Sequence, residues 1–487
     1  MVFSSLFFLY AFLPLCLLCY ALCRDLKSRN LCLLIFSLIF YAWGEPKYVL
    51  LLMAMAWFDW FFALRIRVSK RGGGSGKLWL GLACAVNLGL IGFFKYSGMI
   101  VSVFTEPGPF IRSISLPLGI SFYTFQLLTY VADVYRGRAE PRRRYRDVLL
   151  YAALFHQCIA GPIVRYETIA HELYGRRRSR GEIPEGVLRF TVGLAKKVML
   201  ANPCGALADS MLLTDKAIGD AAAAAANLQA LSQRSVLALW LGVAAFSLQI
   251  YFDFSAYSDM AIGMGKMLGL HYPENFDHPY ISRSASEFWR RWHISLGSFF
   301  RDYVYIPLGG SRQGSARTIL NLFIVWALTG LWHGASWNFV LWGLYWFVFA
   351  SAERLFLRRL ASRMPRAVRI PLSHAYLIVI AMLGWVLFKF TDLRLALTVF
   401  SGLFGRNGNP LSDFRSVIAL KNHVWLLLFC VAASTPVFER LLRHPGAEKR
   451  SALLRTALFG ILPVVLLLIS TAGLVGNSYN PFLYFKF

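Results

Sequence analysis

Acidic side chains are scarce in this chain. Only 25 Asp and Glu stand against 51 Lys and Arg in 487 residues, and charged residues together make up 16%, where soluble domains carry about a quarter. With 57% hydrophobic and 16% aromatic residues, that shortage excludes an ordinary soluble globular protein. Also missing is any Gly-x-Ser-x-Gly turn, which argues against a serine nucleophile of the hydrolase type. The eight cysteines (Cys16, Cys19, Cys23, Cys32, Cys84, Cys158, Cys204 and Cys430) have no histidines at zinc-like spacing and fall almost wholly in apolar runs. They read as small core residues, not as metal ligands or disulfides. No internal repeat is visible, which counts against transporters built from inverted halves.

What is present is a series of long apolar runs. Candidate spans lie near 1–23, 31–62, 78–104, 116–135, 148–163, 187–205, 234–252, 318–350, 372–390, 422–436 and 452–475, against a requirement of roughly 17 to 25 residues per crossing. This predicts an all-α polytopic membrane protein with roughly 9–12 crossings. The run 31–62 is interrupted by Gly44-Glu-Pro-Lys47, and 318–350 by Gly330 and Gly334, so re-entrant or half-length helices are expected there. No Lys or Arg precedes the first apolar run and no small-residue cleavage pattern follows it. It therefore reads as a retained helix, not a signal peptide.

The excess of positive charge, +26, would suggest nucleic-acid binding in a soluble chain. Its distribution argues otherwise. Basic residues cluster between spans, at Arg24–Arg29, Arg65–Lys77, Arg136–Arg146, Arg165–Arg180, Arg354–Arg369 and Arg440–Arg455, as the positive-inside rule requires of cytoplasmic loops. The N-terminus then lies outside. Anionic headgroups or a phosphate-bearing donor are secondary readings of the same charge. The run Arg71-Gly-Gly-Gly-Ser-Gly-Lys77 resembles a phosphate loop, but Leu78 stands in place of the required Ser or Thr and Arg71 in place of the first Gly, so it reads as a linker. Ala221–Ala226 lies in a polar interval and reads as a short surface helix.

Polar residues within apolar sequence concentrate between 249 and 340. His333 sits in Trp326-Ala-Leu-Thr-Gly-Leu-Trp-His-Gly-Ala-Ser-Trp337 and His293 in Glu287-Phe-Trp-Arg-Arg-Trp-His-Ile-Ser-Leu296. An imidazole at membrane depth must hold hydrogen-bond partners or line a wet cavity, because an unsatisfied polar group there costs several kcal/mol. Trp289, Trp292, Leu296 and Phe300 follow one another at helical spacing, which predicts an inward-facing helix bearing His293. Arg290 and Arg291 lie at ion-pairing distance from Glu287 along it. Gly330 and Gly334 allow close approach of a ligand or backbone to His333, with Trp332 and Trp337 as walls. A neutral imidazole there can take a proton from a hydroxyl as it attacks a thioester. A packing histidine bonded to a carbonyl is the other reading of each.

Asp253 and Tyr257, and Ser255 and Asp259, are four apart and can satisfy one another along a helix. Gly265 and Gly269 form a small-xxx-small pair suited to helix packing. Lys95 reads as an interfacial lysine or as a cavity lining, and Lys196-Lys197 as an interfacial anchor.

The run Tyr251-Phe-Asp-Phe-Ser-Ala-Tyr-Ser-Asp-Met-Ala-Ile-Gly263, the histidine segment 287–296, Arg301-Asp-Tyr-Val-Tyr-Ile-Pro-Leu-Gly-Gly310 and Leu331-Trp-His-Gly-Ala335 together resemble the membrane-bound O-acyltransferase superfamily. Met1-Val-Phe-Ser-Ser5, Phe40-Tyr-Ala-Trp43, Leu118-Gly-Ile-Ser-Phe-Tyr123, Ala160-Gly-Pro-Ile163 and Asn480-Pro-Phe-Leu-Tyr-Phe485 are similar to its alginate O-acetyltransferase branch. The resemblance spans essentially the whole chain. It implies one membrane domain over residues 1–487, a multi-helix bowl with a central tunnel, in a bacterial plasma membrane. It also implies transfer of an acetyl group from a cytoplasmic thioester, acetyl-CoA or an acyl carrier, to an exported or cell-surface polysaccharide, directly or through an extracytoplasmic partner protein. No bound cofactor, metal or nucleic acid is implied. His333 matches the superfamily's active-site histidine and His293 the second histidine of the bacterial branch. Trp332, Asp259 and Tyr257 are the candidate substrate-binding side chains. Ala256 stands where that branch usually has glycine. Transfer of another acyl group such as D-alanine, and more remotely a transporter or channel, remain as alternatives at this point.

Overall fold

In hydrocarbon every backbone N–H and C=O must be satisfied within the chain, and an apolar segment does this as a helix. The computed structural model, which describes residues 1–176, 181–213, 221–442, 456–476 and 482–483, is built on that solution. Among the described residues the regular structure is helical, and the β pairing consists of an isolated bridge between Phe276 and Trp292. Nine described helices are long and apolar enough to cross a membrane: Leu26–Gly44, Val49–Arg71, Lys77–Phe104, Val236–Leu268, Gly314–His333, Trp337–Ser362, Arg366–Lys389, Phe414–Ala433 and Ala457–Val475. The protein is an all-α, multi-pass membrane protein.

The interruptions fall close to where the sequence signals them. The 31–62 run is two helices separated at Glu45-Pro-Lys47, where Pro46 supplies no N–H to continue the ladder. The 318–350 run breaks only after His333; Gly330 stays helical. The glycine-rich stretch after Arg71 is the turn between the second and third spans. Ala221–Ala226 opens a helix, Ala221–Ser232. Basic residues 177–180 and 443–455, and most of the 480–485 motif, lie outside the described residues.

Four predicted spans, 1–23, 116–135, 148–163 and 187–205, have no counterpart among these nine helices, and at 148–163 the chain is not even helical throughout. Helix Tyr145–Ala153 stops short, and residues 154–164 run on as buried non-helical chain. Side chains carry the backbone groups that a helix would have satisfied. Phe155 N donates to Ser37 Oγ at 3.2 Å, Gln126 Nε2 to Gln157 O at 3.3 Å and Tyr151 OH to Val164 O at 2.8 Å. Such partners come from distant sequence, so hydropathy alone reads a helix.

The described helices group into two compact units. One comprises Met1–Ala195, Ala256–Glu274 and Ala452–Lys486; the other comprises Lys196–Ser255 and Asn275–Ser451. In the first, Phe3, Phe8, Phe12, Phe40 and Phe155 form an aromatic core. Helix Glu182–Ala195 meets Val236–Leu268 through Gly186 and Gly263, where a Cβ on Gly263 would lie 2.7 Å from Gly186 O. That contact corrects the assignment of helix packing to Gly265 and Gly269: Gly265 makes room for the Tyr272 ring, and Gly269 ends the helix with φ +76. Lys95 reaches Ser121 Oγ at 3.4 Å. In the second unit the Gly314–His333 and Trp337–Ala352 helices form an antiparallel pair, and Arg366–Lys389 packs on the latter. Phe288, Trp292, Trp342, Trp346, Trp385 and Phe388 fill its core, with Phe288 stacked on Trp346 at 5.5 Å. Large aromatic faces bury 150–250 Å² apiece, so this cluster holds the surrounding helix ends in fixed positions.

Candidate active site

The site in the second unit is built on a broken helix. Ser284 caps the Ala285–Arg291 helix by accepting from Glu287 N, and Arg291 pairs with Glu287 at 3.2 Å, as their spacing predicts. The continuous helix predicted through His293 does not form. Trp292 is extended, His293 takes φ 47, ψ 52, and a new helix starts at Ile294. A non-glycine residue in the left-handed region persists only where its surroundings hold it. Here the chain preceding it supplies the restraint: Asp277 N donates to Arg291 O at 2.9 Å, Ile294 N to Asn275 O at 3.0 Å, and Phe276 bridges Trp292.

The Asn275 side chain completes the clamp. Its Oδ1 accepts from Ser295 N at 3.2 Å and from Ser295 Oγ at 2.8 Å, and lies 3.2 Å from His293 Nδ1. A backbone N–H can only donate, so the atom facing it is the amide oxygen. His293 Nδ1 therefore carries the proton and donates it, which leaves Nε2 as the lone-pair nitrogen. His293 is 1% exposed, and burial, between the spans, pushes its pKa down to about 3. The imidazole is neutral at neutral pH.

His333 ends its helix with the ring enclosed by Trp342 at 4.8 Å, Phe388 at 5.3 Å and Trp332 at 4.9 Å. The Trp332 ring also meets His293 at 5.7 Å, so one indole touches both imidazoles. Two expectations about this wall change. Trp337 is 54% exposed, and Trp342 stands against His333 in its place. Gly330 and Gly334 admit protein, not a ligand: a Cβ on Gly330 would lie 2.4 Å from Phe339 O, and one on Gly334 2.2 Å from the Phe339 ring. The glycines let the two helices close tightly enough to seat His333 among the aromatics.

A cavity of about 290 Å³ opens beside His293, with Trp289, Trp326 and Thr329 in its wall and Arg290 and Arg301 among its lining residues. That is near the lower size of small-molecule sites. Its chemistry is an apolar slot with cations at hand and a neutral imidazole lining it.

Asp259 and Tyr257 belong to the other unit and have different partners from those expected. Asp259 accepts Arg189 Nε at 2.7 Å, and Arg189 also holds Glu274; the partner is not Ser255. Tyr257 stacks on Phe3 at 4.6 Å and meets Phe482 edge-on at 4.9 Å. The structure thus brings together His293, Trp332 and His333, while Asp259 and Tyr257 are engaged in the first unit.

Residues 78–390, which include every one of these side chains except Phe3 and Phe482, match the family model described as MBOAT, membrane-bound O-acyltransferase family. The chain belongs to that family. Among relatives of this acyltransferase, the probable alginate O-acetylase AlgI of Azotobacter vinelandii is 36% identical over 100% of both chains. The protein of the same name from Pseudomonas aeruginosa is 39% identical over 85% of this chain and 76% of its own. The peptidoglycan O-acetyltransferase of Helicobacter pylori is 33% identical over 84% of this chain and 80% of its own.

Several residues of the acyltransferase escape a reading by sequence. Lys197 is no interfacial anchor: it is 3% exposed and pairs with Asp253 at 2.5 Å. An Asp deep in an apolar helix requires a cation, and that requirement was the available signal. The next residue, Phe254, lies edge-on to His293 at 4.7 Å. Asn275 and Phe388 carried no local signal at all. In the first unit, fully buried His156 meets Tyr272 OH through Nδ1 at 2.6 Å, within the irregular segment that hydropathy read as a span.

Proposed function

We propose that this acyltransferase is an O-acetyltransferase. It moves an acetyl group from a cytoplasmic thioester, acetyl-CoA or an acyl carrier, to an exported or cell-surface polysaccharide, directly or through an extracytoplasmic partner protein. The single observation that supports this most is the pair of buried imidazoles that both contact the Trp332 ring, one of them lining an apolar cavity with arginines in its wall. The relatives' names support acetyl as the group and a polysaccharide as the acceptor. One catalytic domain over residues 1–487 is part of the same proposal.

His333 acts as general base. It takes the proton of the acceptor hydroxyl as that oxygen bonds to the thioester carbonyl carbon; the C–S bond then breaks and the departing thiolate is protonated. His293 has a different task. Its Nδ1 proton is committed to Asn275, so the neutral ring offers Nε2 as a hydrogen-bond acceptor, suited to orienting a donor N–H or the acceptor hydroxyl. Stabilising an oxyanion would need a proton on Nε2, which the neutral ring lacks while its proton sits on Nδ1 facing Asn275. Trp332 fixes the spacing of the two rings. Arg290 and Arg301 attract the phosphates of a CoA or carrier arm.

Acetyl transfer by His333→Ala in membranes tests this. Loss of roughly a hundredfold or more is expected; activity retained at normal protein levels would overturn the assignment. Mass spectrometry of the modified envelope polymer separates acetyl from D-alanyl transfer.

A further inference from the structure

Three basic segments far apart in sequence, two of them helix ends, meet at one cavity in the first unit. It measures about 780 Å³ and is lined by Lys27, Arg67, Arg142, Arg143, Arg144 and Arg146. The carboxylates in its wall are Asp25 and Asp147; Arg146 lies 4.0 Å from Asp147 and Arg67 3.6 Å from Glu140, so six cations meet three anions. Asp25 is committed to capping the Leu26–Gly44 helix, accepting from Lys27 N and Ser28 N. The cavity shares no lining residue with the one beside His293. A surplus of positive charge held in a concave site stores repulsion unless an anion enters.

The wall is held by contacts of its own. Arg142 donates through Nε to Tyr166 OH at 2.6 Å, and its guanidinium lies 3.1 Å over the Tyr174 ring. Its backbone is held as well, N to Tyr130 OH and O from Trp60 Nε1, both at 3.0 Å. Beside it, Arg143, Arg144 and Arg146 are exposed. The Tyr145–Ala153 helix begins here with Arg144 as its N-cap and no side chain accepting from its first turn. A helix N-terminus without a side-chain cap adds partial positive charge and donors, offset in part by Asp147 in its first turn, whose N donates to Arg144 O at 3.1 Å. The positive-inside rule places all three basic segments on the cytoplasmic side.

We propose that this cavity binds a phosphate-bearing ligand through its phosphodiester or pyrophosphate group. Planar guanidiniums, backbone N–H donors and an aromatic-backed arginine are the donor set that phosphate oxygens take. The volume falls within the range of small-molecule sites, roughly 300–1,000 Å³, and admits either an anionic lipid headgroup or a soluble nucleotide diphosphate. The inference does not rest on the acetyl-transfer reading, and its test measures binding alone.

The test uses the full-length protein with Arg143→Gln/Arg144→Gln, both exposed, and with Arg358→Gln/Arg359→Gln as an equal change of charge elsewhere. One arm measures lipid retention by native mass spectrometry from nanodiscs of phosphatidylcholine with a phosphatidylglycerol fraction. The other titrates ADP and inorganic pyrophosphate by equilibrium dialysis. In at least one arm the 143/144 variant should bind roughly thirtyfold more weakly than wild type, about fivefold per basic side chain, with the 358/359 variant unchanged. Binding in the lipid arm alone identifies a headgroup site, and binding in the soluble arm alone a free-phosphate site. No binding in either arm, or equal loss in both variants, overturns the proposal. Arg144→Gln alone, expected to weaken binding about fivefold, serves where the double variant unfolds.

Discussion

Lys197 Nζ and Asp253 Oδ1 lie 2.5 Å apart with side-chain exposures of 4% and 3%. Each makes the other tolerable inside the helix bundle. Removing either one takes a close opposite charge away from a buried one, a loss of up to about 3–5 kcal/mol. Lys197→Ala and Asp253→Ala should each lower the thermal unfolding midpoint of the purified protein sharply, while Lys197→Met/Asp253→Leu recovers most of it. Equal destabilisation by the double variant would contradict this account of the pair.

Asn275 governs which nitrogen of His293 carries the proton. Asn275→Ala removes the acceptor from Nδ1–H, Ser295 N and Ser295 Oγ together, at a cost of about 1–3 kcal/mol for buried groups left unmade. The transfer rate should fall more steeply than the affinity for donor thioester. A variant with wild-type rate would show that the tautomer has no bearing on turnover.

The pH dependence of stability follows from burial of His293. Its folded pKa is pushed down to about 3 from an unfolded value near 6.5, so the unfolded state binds the proton more readily. The stabilisation is full above about pH 6.5 and is lost as pH falls from there toward about 3. His293→Asn should therefore flatten the decline of unfolding midpoint across that window. An unchanged slope would mean that His293 titrates elsewhere.

Gly330 and Gly334 differ in what a methyl group would strike. At Gly330 it meets the backbone oxygen of Phe339, at Gly334 the Phe339 ring. Overpacking costs about 1–3 kcal/mol, and a ring yields more readily than a carbonyl on the partner helix. Gly330→Ala should be the more damaging in both unfolding midpoint and acetyl transfer. Phe339→Leu should rescue Gly334→Ala and leave Gly330→Ala unimproved.

The parts of the fold legible in sequence were those set by neighbours along the chain. The break at Glu45-Pro-Lys47, the Glu287–Arg291 pair and the stop after His333 each follow from a proline, a four-residue spacing or a glycine acting locally. The Trp292–His293 break was invisible because Asn275 and Asp277, some fifteen to twenty residues earlier, hold it open. Lys197 read as an anchor because nothing nearby in sequence names Asp253 as its partner. Tyr257 and Asp259 read as partners of Asp253 and Ser255 along their own helix, where the folded chain supplies Phe3 and Arg189 instead.

By itself the sequence determined that this protein lives in a membrane as helices, that its charge gathers in loops, and that two histidines sit where solvent does not satisfy them. Hydropathy and short-range hydrogen bonding act over one or two turns, and these properties need no more. Only tertiary structure decided which nitrogen of His293 holds its proton, which rings enclose His333, and that three basic segments form one cavity. Those outcomes depend on side chains brought together from distant segments, and a buried polar group takes whichever partner the packed chain delivers to it.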